Sequence, residues 1–195
     1  MSAETQGRPT VLVVDDERDV ADAYAMKLEA EYDTTVAYGG EAALAELGPH
    51  VDAVLLDRRM PDIHGDEVLE RLREQGYGCT VIMVTAVDPD LNILEMEFDD
   101  YLCKPVDTDT LLTTLSQHLD VGTTDPDLEE FFALLSKLSV LEEERTPAEL
   151  ERDEEFQALK REAIEKAERL RETVDDFETI VETHRSVTRG SGTTL

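Results

Sequence analysis

The run Val11-Leu12-Val13-Val14-Asp15-Asp16-Glu17 decides how the chain is read: four aliphatic residues, three of them β-branched, pass without a turn into three carboxylates. A short continuous apolar run suits a strand buried on both faces, as strands of parallel sheets are. Thr34-Thr35-Val36-Ala37, Ala53-Val54-Leu55-Leu56, Val81-Ile82-Met83-Val84 and Tyr101-Leu102-Cys103 are equally brief and strand-like. Between these runs lie helical apolar periods near residues 17–31, 40–47, 65–75, 89–97 and 108–119. Strand followed by helix five times over predicts an α/β fold, a doubly wound five-stranded parallel (βα)5 sheet with helices on both faces. Asp88-Pro89 and Asp107 are the expected caps of the last two helices, with Pro89 suited to a first helical position.

Beyond residue 121 the hydrophobic period becomes helical and stays so. Residues 121–126 read as a linker between an α/β domain at 9–120 and a helical module at 127–184, with 185–195 expected to be a disordered tail. Leu128, Phe131, Phe132, Leu135, Leu138 and Leu141 form one stripe. A charged break at 142–145 leads into Thr146-Pro147-Ala148-Glu149, an N-cap threonine with proline at the first position and glutamate at the third. A second stripe, Phe156, Leu159, Ala163, Ala167, Leu170, Val174, Phe177 and Val181, follows at three- and four-residue steps. Read as one helix to about residue 184, it would be roughly 55 Å long. Its stripe then calls for a partner: the preceding helix as an all-α hairpin, a second copy as a coiled coil, or both.

Composition bounds the rest. The 195 residues suffice for one ordinary domain and an appendage. Acidic side chains number 47 against 18 basic ones, a net charge of −29, while 41% of residues are hydrophobic, enough for a real core. Residues 1–121 carry 27 acidic and 8 basic groups, net −19; residues 122–195 carry 20 and 10, net −10. That charge argues against a protein holding nucleic acid or anionic lipid through a broad basic face. Only five of the basic residues are lysines (Lys27, Lys104, Lys137, Lys160, Lys166). Few lysines on a dense carboxylate surface suit a protein working in concentrated salt, where screening weakens self-repulsion; the plainer alternative is an acidic protein of an ordinary cytosol. No apolar run reaches the roughly eighteen residues of a membrane span, and residues 1–9 lack a signal-peptide plan. The expectation is a soluble, cytoplasmic protein with no membrane partner.

In open parallel sheets ligands bind beyond the carboxyl ends of the strands. Those ends carry Asp15 and Asp16, Asp57, Thr85 and Lys104. Each alone has an ordinary explanation: a helix cap, a turn residue before Met60-Pro61-Asp62, the close of a strand, a solvated lysine. Their joint arrival at four strand ends is what those explanations leave unaccounted for. Three crowded carboxylates repel unless a cation sits among them, and hard oxygen ligands suit Mg²⁺. A carboxylate-held metal beside an ammonium and a hydroxyl suggests phosphoryl chemistry, with a carboxylate as nucleophile.

Val11–Glu17, Leu55-Leu56-Asp57-Arg58-Arg59-Met60-Pro61-Asp62-Ile63-His64-Gly65, Val84-Thr85-Ala86 and Asp100-Tyr101-Leu102-Cys103-Lys104-Pro105 resemble the receiver domain of two-component response regulators over residues 9–120. The resemblance implies the flavodoxin-like strand order 2-1-3-4-5. It implies that Asp57 is the phosphoryl acceptor. It also implies that Asp15, Asp16, Asp57 and the backbone carbonyl of Arg59 surround Mg²⁺ or Mn²⁺, that Thr85 bonds the phosphoryl group, and that Lys104 pairs with it. Tyr101 matches the aromatic switch residue that turns inward when Thr85 moves, and Lys104-Pro105 is a peptide usually cis in relatives. Phe98 departs from the glycine or alanine common at its position. The implied donor is a sensor histidine kinase, and the implied chemistry is self-catalysed transfer and later loss of the phosphoryl group rather than a classified enzyme activity. The implied readout is a population shift on the face of the fourth and fifth helices and fifth strand.

Residues 127–184 resemble the HalX-type helical domain found after receivers in halophilic archaea. A module of this kind is expected to act through a downstream protein target or as a homodimer through 127–184. The competing expectation is a DNA-binding transcriptional regulator acting through the same helices. No helix-turn-helix pattern supports it, and Arg161, Arg169 and Arg171 lie among glutamates as expected for i,i+4 partners on a solvated face. A haloacid-dehalogenase-type hydrolase would need a second aspartate where Arg59 stands. Cys79 and Cys103, at opposite ends of neighbouring strands, read as reduced, buried thiols. His50, His64, His118 and His184 show no metal-ligand spacing, and a phosphotransfer role for His184 has no support beyond its place late on a helix.

Overall fold

The computed structural model describes residues 7–87, 89–119 and 126–188, with side chains to residue 182. Five strands form one parallel sheet in the order β2-β1-β3-β4-β5, the 2-1-3-4-5 order implied by the motifs. The chain divides into two compact units, Met1–Val81 and Ile82–Leu195.

The first unit is built on β1 (Thr10–Val14), flanked in parallel by β2 (Asp33–Ala37) and β3 (Ala53–Leu56). Every residue from Val11 to Val14 is buried, which is why this strand contains no polar alternation. Helix α1 (Arg18–Leu28) buries Ala21, Tyr24, Ala25 and Leu28, the three-and-four spacing of one helical face. Helix α2 (Gly40–Glu46) buries Ala43, and α3 (Gly65–Glu74) buries Val68, Leu69 and Leu72. The turn from β3 into α3 closes tightly: Gly65 N donates to Arg58 O at 2.9 Å. A Cβ on Gly65 would stand 2.2 Å from the carbonyl oxygen of Asp57, so only glycine fits there.

In the second unit the end of β4 (Thr80–Thr85) pairs with β5 (Asp100–Cys103), Ile82 opposite Asp100 and Thr85 opposite Cys103. Where an α-helix over 89–97 was expected, the chain forms a short 3-10 segment, Leu91–Glu95. Asp90 is extended and accepts a bond from Asn92 Nδ2 at 3.1 Å, a local side-chain bond that competes with helix propagation. Asp88 lies outside the described residues. Asp107 does cap α4 (Thr108–Leu119), accepting from Thr110 N at 2.9 Å and Thr110 Oγ1 at 2.8 Å. These bonds hold its carboxyl below the usual aspartate range.

Helix α5 (Pro126–Glu144) begins at the last expected linker residue; residues 120–125 lie outside the described part. The single long helix expected after it is instead three: α6 (Pro147–Leu150), α7 (Glu154–Thr173) and α8 (Phe177–Thr188). Glu149 Oε2 accepts from Thr146 N at 3.0 Å, the anticipated capping contact, but α6 lasts one turn. Asp153 then starts α7 by accepting from Phe156 N at 2.8 Å. Val174 is extended and Asp176 takes φ 58°, a left-handed conformation that aspartate tolerates better than most residues, so α7 ends and α8 turns away. An apolar stripe therefore persists through breaks that only capping chemistry marks. Helix α8 reaches Thr188, past the expected start of the tail; the tail from 189 and the His184 side chain lie outside the described residues.

Helices α5 and α7 do pack as a hairpin. Leu128, Phe131, Phe132, Leu170 and Phe177 form its buried cluster, each large side chain contributing about 1.5–3 kcal/mol by leaving water. Lys166, buried on α7, pairs with Asp127 at 3.2 Å and with Glu130. Cys79 is buried, as expected, but Cys103 is exposed, because it is the last residue of β5; neither is in a disulfide. Among the described residues no helix is long and apolar enough to cross a membrane.

Candidate metal centre and phosphoryl-acceptor site

Asp15 and Asp16 follow the last residue of β1, and Asp57 follows the last residue of β3. Val14 lies opposite Leu56 in the register, and Asp57 N donates to Val14 O at 2.9 Å, so the aspartates of the two strands emerge side by side. One carboxylate oxygen from each of Asp15, Asp16 and Asp57 lies within 4.8 Å of the others. Asp15 and Asp57 are only 2% and 6% exposed, whereas Asp16 is open to solvent.

Each buried carboxylate is held by a nearby amide. Glu17 N donates to Asp15 Oδ1 at 2.9 Å, and Arg59 N donates to Asp57 Oδ2 at 3.1 Å. Neither aspartate caps α1, whose N-cap is Glu17, so that ordinary explanation does not apply. Three convergent carboxylates, two of them out of bulk water, form a hard-oxygen set that fits a divalent cation of the Mg²⁺ kind. Arg58, given no role by sequence reasoning, is buried, and its Nε reaches both oxygens of Asp66 at 3.0 and 3.2 Å. That pair braces the Asp57–Gly65 turn.

Thr85 and Lys104 belong to the second unit, where Lys104 N donates to Thr85 O at 2.9 Å. Thr85 is wholly buried, and its Oγ1 accepts from Val87 N at 3.3 Å. Tyr101 is also buried and donates its hydroxyl to Val87 O at 2.8 Å. The Lys104-Pro105 peptide is cis.

A family model described as the response regulator receiver domain matches residues 11–116, and one described as the HalX domain matches 120–187. The chain belongs to the response regulator receiver family.

Relatives of this receiver include a Haloferax volcanii protein, 47% identical over 133 residues, covering 68% of this chain and 23% of that protein. The transcriptional regulatory protein CutR of Streptomyces coelicolor is 44% identical over 49% of this chain and 46% of its own length. The sensory transduction protein RegX3 of Mycobacterium tuberculosis is 38% identical over 60% of this chain and 53% of its own. The chain thus spans about a quarter to about half of the curated relatives it matches. Among solved structures, a CheY-like receiver from Methanospirillum hungatei superposes with a TM-score of 0.55 at 30% identity, covering 58% of this chain and 95% of that one. TrrA of Thermotoga maritima, solved in complex with Mg²⁺ and BeF, gives 0.51 at 31% identity, covering 57% and 99%.

Sequence reasoning missed a buried polar cluster in the second unit. Ser136 Oγ, on α5, donates to Asp100 Oδ1 at 2.6 Å, and His118 Nε2 lies 3.3 Å from Asp100 Oδ2. Burial disfavours the His118 imidazolium, but the hydrogen bond and charge of Asp100, with Asp99 and Glu129, outweigh it and raise its pKa. Lys137, also on α5, donates to Leu94 O at 3.3 Å and stands 5.3 Å from the Phe98 ring centre; burial pulls its pKa down. The available signal was α5 itself. Leu134, Ser136, Lys137 and Val140 are buried as well as the stripe at Leu128, Phe131 and Leu138, so the helix is covered on two faces.

Proposed function

We propose that this protein is a phosphoacceptor response regulator in which Asp57 takes a phosphoryl group from a phosphohistidine of a sensor histidine kinase. The observation that carries the reading is the convergence of Asp15, Asp16 and Asp57 within 4.8 Å, with the Asp57 carboxylate steadied by the Arg59 amide. Asp57, Asp15, Asp16 and the backbone carbonyl of Arg59 would hold Mg²⁺ or Mn²⁺. The metal supplies positive charge against the phosphoryl oxygens. An Asp57 carboxylate oxygen forms the new bond to phosphorus, the phosphorus–nitrogen bond of the donor breaks, and the departing imidazole keeps the electron pair and takes up a proton. Lys104 pairs with the transferred group and Thr85 donates its hydroxyl to it. Water later cleaves the acyl phosphate, returning Asp57. This is chemistry done by the chain on itself, not turnover of an independent substrate.

The proposed organisation is a receiver at 9–120, a linker at 121–126 and a helical output module at 127–184, acting on a downstream protein or a second copy in the cytoplasm. DNA reading remains the poorer account: residues 122–195 are net −10, and Arg171 is engaged with Glu178 at 2.7 Å across the bend between α7 and α8. The test is labelling by acetyl phosphate with Mg²⁺. Wild type should acquire a hydroxylamine-labile label that Asp57→Asn abolishes while keeping its circular dichroism. Undiminished labelling of the variant would remove Asp57 from the role.

A further inference from the structure

In the first unit, the peptide group between Arg58 and Arg59 stands between the first residue of α3 and the Asp57 carboxylate. Its carbonyl oxygen accepts from Gly65 N at 2.9 Å, and its N–H donates to Asp57 Oδ2 at 3.1 Å. Hydrogen bonds at the two ends of one peptide group strengthen each other, so the bond to Asp57 is firm while the bond from Gly65 is held. The Arg58 side chain takes a second hold on the same turn of α3, with Nε at 3.0 Å from Asp66 Oδ1 and 3.2 Å from Oδ2. Arg58 is thus tied through main chain and side chain to two consecutive residues, Gly65 and Asp66. On the far side Met60 is 1% exposed, so the exposed Arg59 is suspended between two anchored neighbours.

We infer that Arg58 is a positioning residue of the phosphoryl-acceptor site, acting through its pair with Asp66 to fix the Arg59 amide against Asp57 and the Arg59 carbonyl as a cation ligand. The inference rests on the proposed metal centre of Asp15, Asp16, Asp57 and the Arg59 carbonyl. Three physical points carry it. Stability alone is a poor reason for this residue. Burying a guanidinium is costly and its partner Asp66 is 45% exposed, so a methionine would fill the same space with no charge to desolvate. Direction is what arginine adds: a planar, rigid fork set on a carboxylate fixes orientation as an aliphatic side chain does not. Finally, Asp57 is asked to be both ligand and nucleophile, and a carboxylate free to turn loses the alignment that both tasks need. Groups that hold metal ligands in place govern affinity for that reason, although they never touch the metal.

Calorimetric titration of the full chain with Mg²⁺ tests this, because charge and positioning predict opposite signs. Arg58→Met removes a positive charge beside a cation site, which by Coulomb attraction alone should tighten Mg²⁺ binding. Positioning predicts instead that Kd rises about tenfold, the usual scale for losing a group that orients a metal ligand. Asp66→Ala, at a half-exposed position, should raise Kd to a similar extent, and the double variant should be no weaker than the weaker single one. Glu67→Ala is the control: it removes the same charge from the same turn of α3, but Glu67 pairs with Arg71 and not with Arg58, so Kd should stay at the wild-type value. If Arg58→Met does not fold, the comparison of Asp66→Ala with Glu67→Ala decides alone. The inference is overturned if Arg58→Met binds Mg²⁺ as tightly as wild type or more tightly, if Asp66→Ala and Glu67→Ala shift Kd equally, or if the effects of Arg58→Met and Asp66→Ala multiply. A wild type that binds no Mg²⁺ overturns it together with the metal centre. A wild type that binds Mg²⁺ but takes no label at Asp57 removes the phosphoacceptor reading alone, and the Kd comparisons still decide the role of Arg58.

Discussion

Gly65 offers a test of how closely fold and site are joined. Its ideal Cβ would lie 2.2 Å from Asp57 O, 3.0 Å from Asp57 C and 2.9 Å from Arg58 Cα. All three are backbone atoms, so no side-chain rotamer can absorb the clash. Gly65→Ala must open the β3–α3 turn by about 1 Å to reach ordinary carbon–oxygen contact, and it strains the 2.9 Å bond from Gly65 N to Arg58 O. Overpacking of this kind costs about 1–3 kcal/mol, whereas the gain from alanine in the first turn of a helix is under about 1 kcal/mol. The net loss of about 2 kcal/mol should lower the urea midpoint by about 1 M for a chain of this size. Because the displaced atoms belong to the Asp57 backbone, Mg²⁺ affinity measured by calorimetry should fall as well. Gly78→Ala is the control: nothing lies within 4 Å of the added Cβ, and both readouts should match wild type. Equal midpoints and equal Mg²⁺ affinities for Gly65→Ala and wild type would refute the argument that this turn sets the position of Asp57.

Further consequences concern the second unit and the domain boundary. Lys166 is buried while its partners Asp127 and Glu130 are largely exposed, so Lys166→Met should change unfolding free energy by less than about 1 kcal/mol or raise it, whereas a loss above about 3 kcal/mol would show that the charge pair itself holds the hairpin. The pKa of His118 is raised on folding by Asp100, Asp99 and Glu129 against the cost of burial. Its stabilising contribution is therefore fully present below the unfolded histidine value of about 6.5 and is lost as pH rises through the higher folded value. Urea unfolding across that range at constant ionic strength should show wild type losing stability relative to His118→Gln as pH increases, and parallel curves would contradict it. A chain ending at residue 121 should remain folded and accept label at Asp57, since Asp57 and the carboxylates around it precede residue 121; failure to fold would move the proposed boundary.

Much of the fold was legible because its signals are local. Uninterrupted runs such as Val11–Val14 and Ala53–Leu56 are the mark of doubly buried parallel strands, and all of Val11–Val14 is buried. Asp107 and Thr146 advertised helix starts through capping chemistry that needs only neighbouring residues. The 3-10 segment was not legible, since the short apolar period over 89–97 does not distinguish a 3-10 segment from two turns of α-helix. The break at Asp176 was hidden for a related reason: a hydrophobic stripe continues across a bend when both helices face the same core.

The order of residues along the chain was enough to establish an α/β receiver, its sheet order through the family resemblance, and the set Asp15, Asp16 and Asp57, because strand ends and side-chain type follow from local pattern. That Asp15, Asp16 and Asp57 bring oxygens within 4.8 Å of one another, with an amide on each buried carboxylate, was settled only by folding, since β1 and β3 are neighbours in space and not in sequence. The same holds for Asp100, Ser136 and His118. A buried hydrogen-bond network joins elements that separate in the chain by tens of residues, and nothing in the identity of a serine such as Ser136 says which carboxylate it will meet.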